Sequence, residues 1–325
     1  MSTIDLKDRK ILYQLDLNCR QSNTQIGKKV GLKKDLVAYR IKKMEEGGII
    51  QNYWTAINTY KLGYHVFRIY INYVDVNSEL KNEIISYFIK QKNLWALLSA
   101  KGPVDLDAVL WVNDIYEFNK FWNKTLEKYG NYFGKHTVSI LTSVLALKKS
   151  YLLPEKLRDN DCLLYETSCA GQPVQIDKLD WGLLNILALN ARISLIDLAE
   201  QLCCSSQTIS YRIKQLQNKE VIQAFRVGID PTKLNMQIYA IEIYIKDYSK
   251  RKNILEYIKT IPNVFDIMFM NVGWSDLSFE MVIQNVEILM EVMEKINHAF
   301  PDAIRRQDFW ITKQVHKNRW LPELL

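Results

Sequence analysis

The usual marks of an enzyme are missing from this chain. No P-loop, G-x-G-x-x-G, G-x-S-x-G or H-E-x-x-H occurs, which excludes the commonest phosphate-cradling, acyl-transfer and zinc-hydrolysis arrangements. The four histidines, His65, His136, His298 and His316, are dispersed and build no cluster. The five cysteines are an odd number without C-x-x-C spacing, so neither a disulfide framework nor a zinc site is expected, and Cys162 and Cys169 read as a reduced pair. There is no run of about 18 apolar residues, hence no membrane-spanning helix. Met1 to Lys10 carries Asp5, Lys7, Asp8, Arg9 and Lys10 where a secretory signal would have an apolar core. These absences predict a cytoplasmic protein that is not an enzyme and has no cofactor, metal or membrane partner.

What is present is an ordinary globular composition, 48% hydrophobic and 24% charged, with a net charge of +7 that permits nucleic acid without demanding it. The 325 residues exceed what one core usually organises, so at least two domains are expected. The most informative feature is repetition. Tyr39-Arg40-Ile41-Lys42 returns as Tyr211-Arg212-Ile213-Lys214, a shift of 172 from position 39 to position 211. At that shift Asp8 matches Asp180, Leu12 matches Leu184, Leu15 matches Leu187, Arg20 matches Arg192 and Ile50 matches Ile222. A fixed period over this length marks a tandem duplication.

Each copy opens with three helical stretches. In the first, Ile11, Leu12, Leu15 and Leu17 mark one face of a helix, a shorter helix follows from about Thr24 to Val30, and Gly31 supplies a tight turn. The third helix runs from Lys34 to Glu46 with Leu36, Val37, Ile41 and Met44 as its inward stripe, and Ile49 to Ile57 reads as a β-hairpin wing. A short exposed helix after a tight turn, followed by a wing, is how a DNA-reading unit is written. Its candidate DNA contacts are Lys33, Lys34, Tyr39, Arg40, Lys42 and Lys43, and in the second copy Ser205, Ser206, Gln207, Tyr211, Arg212, Lys214 and Gln215. Arg40 and Arg212 also suit a second role, bracing the helix against its own domain. The copies differ in charge: residues 1–58 hold eleven basic and six acidic side chains, net +5, whereas residues 174–230 balance to zero. Lys33 suits a phosphate, while Ser205 suits a helix N-cap. The first unit is therefore expected to supply non-specific affinity and the second more of the base readout.

After each such unit the pattern changes. Strand Val66–Val74, helix Ser78–Gln91, strands Leu94–Ser99 and Leu106–Val112, helix Ile115–Tyr129 and strand Thr137–Leu147 follow in order. The second copy repeats them as Ile238–Ile245, Lys250–Lys259, Val264–Asn271, Leu277–Ile283, Val286–Phe300 and Gln307–Val315. This βαββαβ order is ferredoxin-like. The expected fold is α+β, two repeats of a winged helix-turn-helix followed by a ferredoxin-like domain. The boundaries fall at 1–60, 61–150, a linker at 151–175 with Pro154, Gly171 and Pro173, then 176–232 and 233–325. A linker of that length reaches about 80 Å when extended, so the halves could pair within one chain or between chains.

The series Asp8, Ile11, Leu12, Leu15, Asn18, Ile26, Gly31, Val37, Arg40, Ile41, Gly48 and Ile50, followed by this second domain, resembles the Lrp/AsnC family of prokaryotic transcription regulators. The resemblance implies a regulator that binds double-stranded DNA, self-associates through its ligand domains and responds to an amino acid or similar small metabolite. It also implies effector contacts at the Gly-x-x-Asp turns, Gly102 with Asp105 and Gly273 with Asp276, although Gly and Asp are also simply the residues hairpins use. Sirohaem decarboxylases of haem biosynthesis look like two fused units of the same family. They carry a His-x-Tyr cluster on the strand after the first ligand-domain helix, where this chain has Leu94–Ser99 and Val264–Phe269 without histidine. A third alternative is a docking protein whose electrically neutral second unit no longer touches DNA.

Overall fold

The computed structural model describes residues 4–158, 162–261 and 265–323. Val264, the expected start of a strand, linker residues 159–161 and the outermost residues of the first and last domains lie outside these. The first unit is α1 (Leu6–Leu17), α2 (Asn23–Val30), α3 (Lys34–Glu46) and β1 (Ile50–Ile57). Reciprocal capping boxes, Asp5 with Asp8 and Ser22 with Gln25, start α1 and α2. Gly31, at φ 70°, ends α2 in the left-handed region and turns the chain into α3. Val37, Ile41 and Met44 of α3 face the core, but Leu36 is 41% exposed, contrary to the sequence expectation. One residue is about 100° of helix, which carries Leu36 off the stripe that starts at Val37.

Between the first unit and the second lie β2 (His65–Tyr73), α4 (Ser78–Ile89), β3 (Leu94–Lys101), β4 (Leu106–Val112), α5 (Ile115–Tyr129), β5 (Phe133–Leu147) and β6 (Leu163–Ser168). The second unit is α6 (Lys178–Leu189), α7 (Leu195–Gln201), α8 (Ser206–Asn218) and β7 (Ile222–Ile229). Neither unit forms the expected hairpin wing. Instead β1 pairs antiparallel with β7, Tyr53 opposite Val227 and Ala56 opposite Ala224, so each unit supplies the partner strand that a hairpin would have supplied locally. The flanking bonds repeat at the shift of the sequence: Cys19 N to Phe225 O (2.8 Å) with Ala191 N to Tyr53 O (2.9 Å), and Asn58 N to Val221 O (2.8 Å) with Asp230 N to Ile49 O (2.9 Å). Ile11, Leu12 and Leu15 share one core with Leu183, Leu184 and Leu187. Each such fully buried side chain stabilises by about 1.5–3 kcal/mol, so the two units fold against one another rather than side by side.

The chain closes with β8 (Gln237–Ile245), α9 (Arg251–Thr260), β9 (Phe265–Val272), β10 (Leu277–Ile283), α10 (Val286–Ala299) and β11 (Ile304–Asn318). The two ferredoxin-like halves have strand orders β5-β2-β4-β3 and β11-β8-β10-β9, and β3 pairs with β11 while β9 pairs with β5. The eight strands thus return on themselves as a barrel. Their outer faces pack under the helices, as Ile69, Leu97 and Leu110 do beneath Ile84, Phe88 and Trp122. Within the expected linker, β6 adds to β5 (Val144 opposite Thr167), so that stretch is part of the sheet and not a free tether.

Each half ends in a strap that reads Leu-Pro-Glu, Leu153 to Glu155 and Leu321 to Glu323. Leu152, Leu153 and Leu321 are buried in the core of the paired helical units, and Trp320 stacks on Trp54 of β1 at 3.6 Å between ring centroids. The straps tie barrel to helices. Among the described residues no helix is long and apolar enough to cross a membrane.

Candidate nucleic-acid interface

The third helix of each helical unit is the exposed one. Lys33 at the start of α3 and Lys34, Lys42 and Lys43 on it are exposed, as are Gln207 and Lys214 on α8, and Tyr39 and Tyr211 are 63% and 61% exposed. Ser206 and Gln215 are partly covered. Ser205 accepts from the Thr208 amide at 3.0 Å and caps α8, whereas Lys33 at the same position of α3 makes no cap bond. The first α3 amides are thus left for another acceptor, with two lysines beside them, an arrangement that favours an anion.

Arg40 and Arg212 are engaged by their own domains. Arg40 Nη1 lies 2.8 Å from both Asp5 and Asp8, and Arg212 Nη1 lies 2.7 Å from Asp177 and 3.4 Å from Asp180. These carboxylates are also the capping boxes of α1 and α6, so one acidic pair both starts a helix and holds the recognition helix across it. The amide of Asp8, opposed slightly by burial and reinforced by Arg40, holds the Asp5 carboxyl below its ordinary range. The guanidiniums therefore brace, and the cations turned outward are the exposed lysines, Lys42 among them with Glu46 3.8 Å away.

The frame between the two heads is buried and charged. Arg226 of β7 grips Asp16 of α1 through two bonds of 2.9 Å and also donates to Leu147 O at 3.0 Å, while Asp16 accepts the Lys149 amide at 3.1 Å. This knot joins α1, the ribbon and the end of β5. Arg20 donates to Ala191 O (2.7 Å) and Ile193 O (3.0 Å) across the pseudo-twofold, and Arg192 donates to Asn23 at 3.3 Å.

In the barrel the two Gly-x-x-Asp turns have structural duties. Gly102 (φ 131°) and Gly273 (φ 116°) each approach the opposite half so closely that a Cβ would lie 3.1 Å from Phe309 O and 2.7 Å from Val138 O respectively. Asp105 accepts the Tyr73 amide at 2.9 Å, and Asp276 accepts the Ile245 amide at 2.6 Å together with the Tyr248 hydroxyl. Three buried charges inside the barrel escaped the sequence reading. Arg68 makes a forked pair with Asp107 (Nε to Oδ1 2.9 Å, Nη2 to Oδ2 2.7 Å) amid Tyr70, Phe269 and Trp310. Glu242 accepts from Ser275, Ser278 (3.1 Å) and Trp310 (3.3 Å), and burial, only partly opposed by Arg68 and these donors, pushes its carboxyl up to about 7. The available signal was a lone charge in each of three otherwise apolar strands.

A family described as winged helix-turn-helix DNA-binding matches residues 4–51 and again 176–223. An uncharacterised HTH-type transcriptional regulator of Pyrococcus furiosus is 32% identical over 143 residues, 43% of this chain and 93% of that protein. The HTH-type transcriptional regulator LrpA of Pyrococcus horikoshii is 34% identical over 111 residues, 34% of this chain and 77% of its own. Among solved structures, the sirohaem decarboxylase NirDL is similar over 96% of this chain and 92% of its own at a TM-score of 0.63 and 13% identity, a likeness of fold.

Proposed function

Because the chain belongs to the Lrp/AsnC family of regulators, with two of that family's units fused in tandem, we propose that it is a sequence-specific DNA-binding transcription regulator whose paired heads act from one chain. The observation that carries this reading is the pair of exposed recognition helices mounted on one shared core and ribbon. In it, Lys33, Lys34, Lys42 and Lys43 hold phosphates, and Gln207, with Ser206 and Gln215, supplies base contacts. An amino acid or other small metabolite acts as effector at the barrel, meeting the backbone of the Gly102 and Gly273 turns, since the Asp105 and Asp276 carboxylates already hold amides.

The test is fluorescence-anisotropy titration of the whole chain against the DNA upstream of its own gene and a shuffled duplex, across a salt series. Log affinity is expected to fall by about 0.9 per phosphate contact with log salt, and to be higher on the native duplex. Lys33→Ala with Lys34→Ala should lower that slope by about 2 on both duplexes, whereas Gln207→Ala should weaken the native duplex selectively. Absence of binding at low salt would overturn the reading. The decarboxylase alternative has the whole-chain likeness of fold behind it but no histidine on β3 or β9 to serve as its acid. Sirohaem added to the chain is expected to give neither an absorbance shift nor carboxylate loss.

A further inference from the structure

The two junctions between the barrel and the helical heads are built differently. At one of them rings fill the gap: Trp111 of β4 stacks on Trp95 of β3, Trp95 meets Trp320 edge-on, and Trp320 lies on Trp54 of β1. The void left beside them measures about 20 Å³. The pseudo-twofold puts Val282 where Trp111 stands, since Val282 lies opposite Ile238 of β8 as Trp111 lies opposite Val66 of β2. It puts Leu152 where Trp320 stands, one residue before the repeated Leu-Pro-Glu, and Arg9 of α1 where α6 has Trp181. With these rings missing, a cavity of about 600 Å³ opens between α1, the first strap and α10.

We propose that this cavity binds an aliphatic monocarboxylate of medium length, its chain on the cavity floor and its carboxylate held at the rim by Arg9 and Lys295. Leu152, Val282, Ile283 and Val292 of the floor are buried and aliphatic. Tyr151 is the one aromatic side chain among the described lining residues, and its ring already faces Lys149 Nζ at 5.9 Å, so a chain fits better than a stacked ring. The rim carries three cations, Arg9, Arg158 and Lys295, against the carboxylates of Glu155 and Glu291, an excess of one positive charge that suits a monoanion. Arg158 donates Nε to Leu153 O at 2.6 Å, whereas among the described residues nothing pairs with the Arg9 guanidinium or the Lys295 ammonium. An apolar hollow with a few charged groups at its edge, set at a domain junction, is how small-molecule sites are built. It is separate from the Gly273 turn, because the seven residues of β10 carry the chain about 20 Å from that turn to Ile283 in the cavity wall. A ligand there would bridge α1 of the first head and α10 of the second ferredoxin-like half.

The probe is sodium octanoate, titrated into the full chain by isothermal calorimetry beside octanol. Saturable binding is expected for octanoate, weaker by about tenfold for octanol and for the Arg9→Glu and Lys295→Glu variants, since each loses a charge-assisted contact. Val282→Trp restores the ring found at the other junction and should abolish binding while far-UV circular dichroism shows the fold intact; if that variant does not fold, the two charge reversals decide. Hydrogen exchange should show octanoate protecting amides of both α1 and α10. No saturable binding, equal binding of octanoate and octanol, or binding unchanged in Arg9→Glu and Lys295→Glu would overturn the proposal. So would protection confined to residues 102–105 and 273–276, which would assign the ligand to the turns. None of these readouts involves DNA, so failure here leaves the proposed function standing.

Discussion

Replacing Glu242 with glutamine should make the protein more stable, and only above a definable pH. The carboxyl is fully buried in the barrel, and its rise from the ordinary 4.5 to about 7 corresponds to about 3 kcal/mol that the folded state forgoes when the group is ionised. A carboxyl raised in the folded state stabilises fully below about 4.5, and that contribution is lost as pH rises through about 7. Glutamine cannot ionise, and it fits the same partners. Its oxygen accepts from Ser278 and Trp310, and its amide donates to Ser275 Oγ, which can turn its own hydrogen to Leu277 O at 3.3 Å. Urea unfolding followed by far-UV circular dichroism at pH 4.5 and pH 8 should show parent and variant alike at the lower pH, with the variant ahead by up to about 3 kcal/mol at the higher. An advantage equal at both pH values, or a loss at pH 8, would refute the idea that an ionised Glu242 strains the barrel.

Three further outcomes follow from geometry already described. Asp16→Ala strands the buried Arg226 charge and should destabilise by about 3–5 kcal/mol in the same unfolding assay. Cys203 occupies the left-handed position (φ 51°) that Gly31 fills in the first unit, so Cys203→Gly should stabilise by about 0.5–1 kcal/mol and Gly31→Ala should destabilise by about 1 kcal/mol, read as opposite shifts of the urea midpoint. Ser205→Ala should remove the α8 cap and lower stability by about 1 kcal/mol, while Lys33→Ser should add a cap to α3 and weaken DNA binding at low salt.

Local signals were the legible ones. The Ser205 cap, the Gly31 turn and the period-two runs of the ferredoxin-like halves lie within a few residues of what they determine, and the elements formed where those residues put them; the caps at Asp5, Ser22 and Asp177 emerged only with the structure. The wing failed because the strand that completes β1 stands at Ile222–Ile229, and nothing local in Ile50–Ile57 distinguishes a hairpin arm from half of a shared ribbon. Arg68, Asp107 and Glu242 were passed over for a related reason: one charge in a half-exposed strand is ordinary, and only closure of the barrel turns the second face of those strands inward. Arg40 and Arg212 had both roles open, and the partner that decides geometry, a carboxylate at each preceding helix start, lies about 30 residues away in sequence.

The shared ribbon changes the arithmetic of assembly. Two separate chains would fall apart on dilution, and the paired species would scale with the square of their concentration. Heads joined through β1 and β7 of one polypeptide stay together at any dilution, so under the proposed function occupancy of a site rises linearly with copy number and persists in a cell holding few molecules. Fusion also frees the two heads to mutate independently, as Lys33 and Ser205 already illustrate, and the DNA sequence they read together need not be a palindrome.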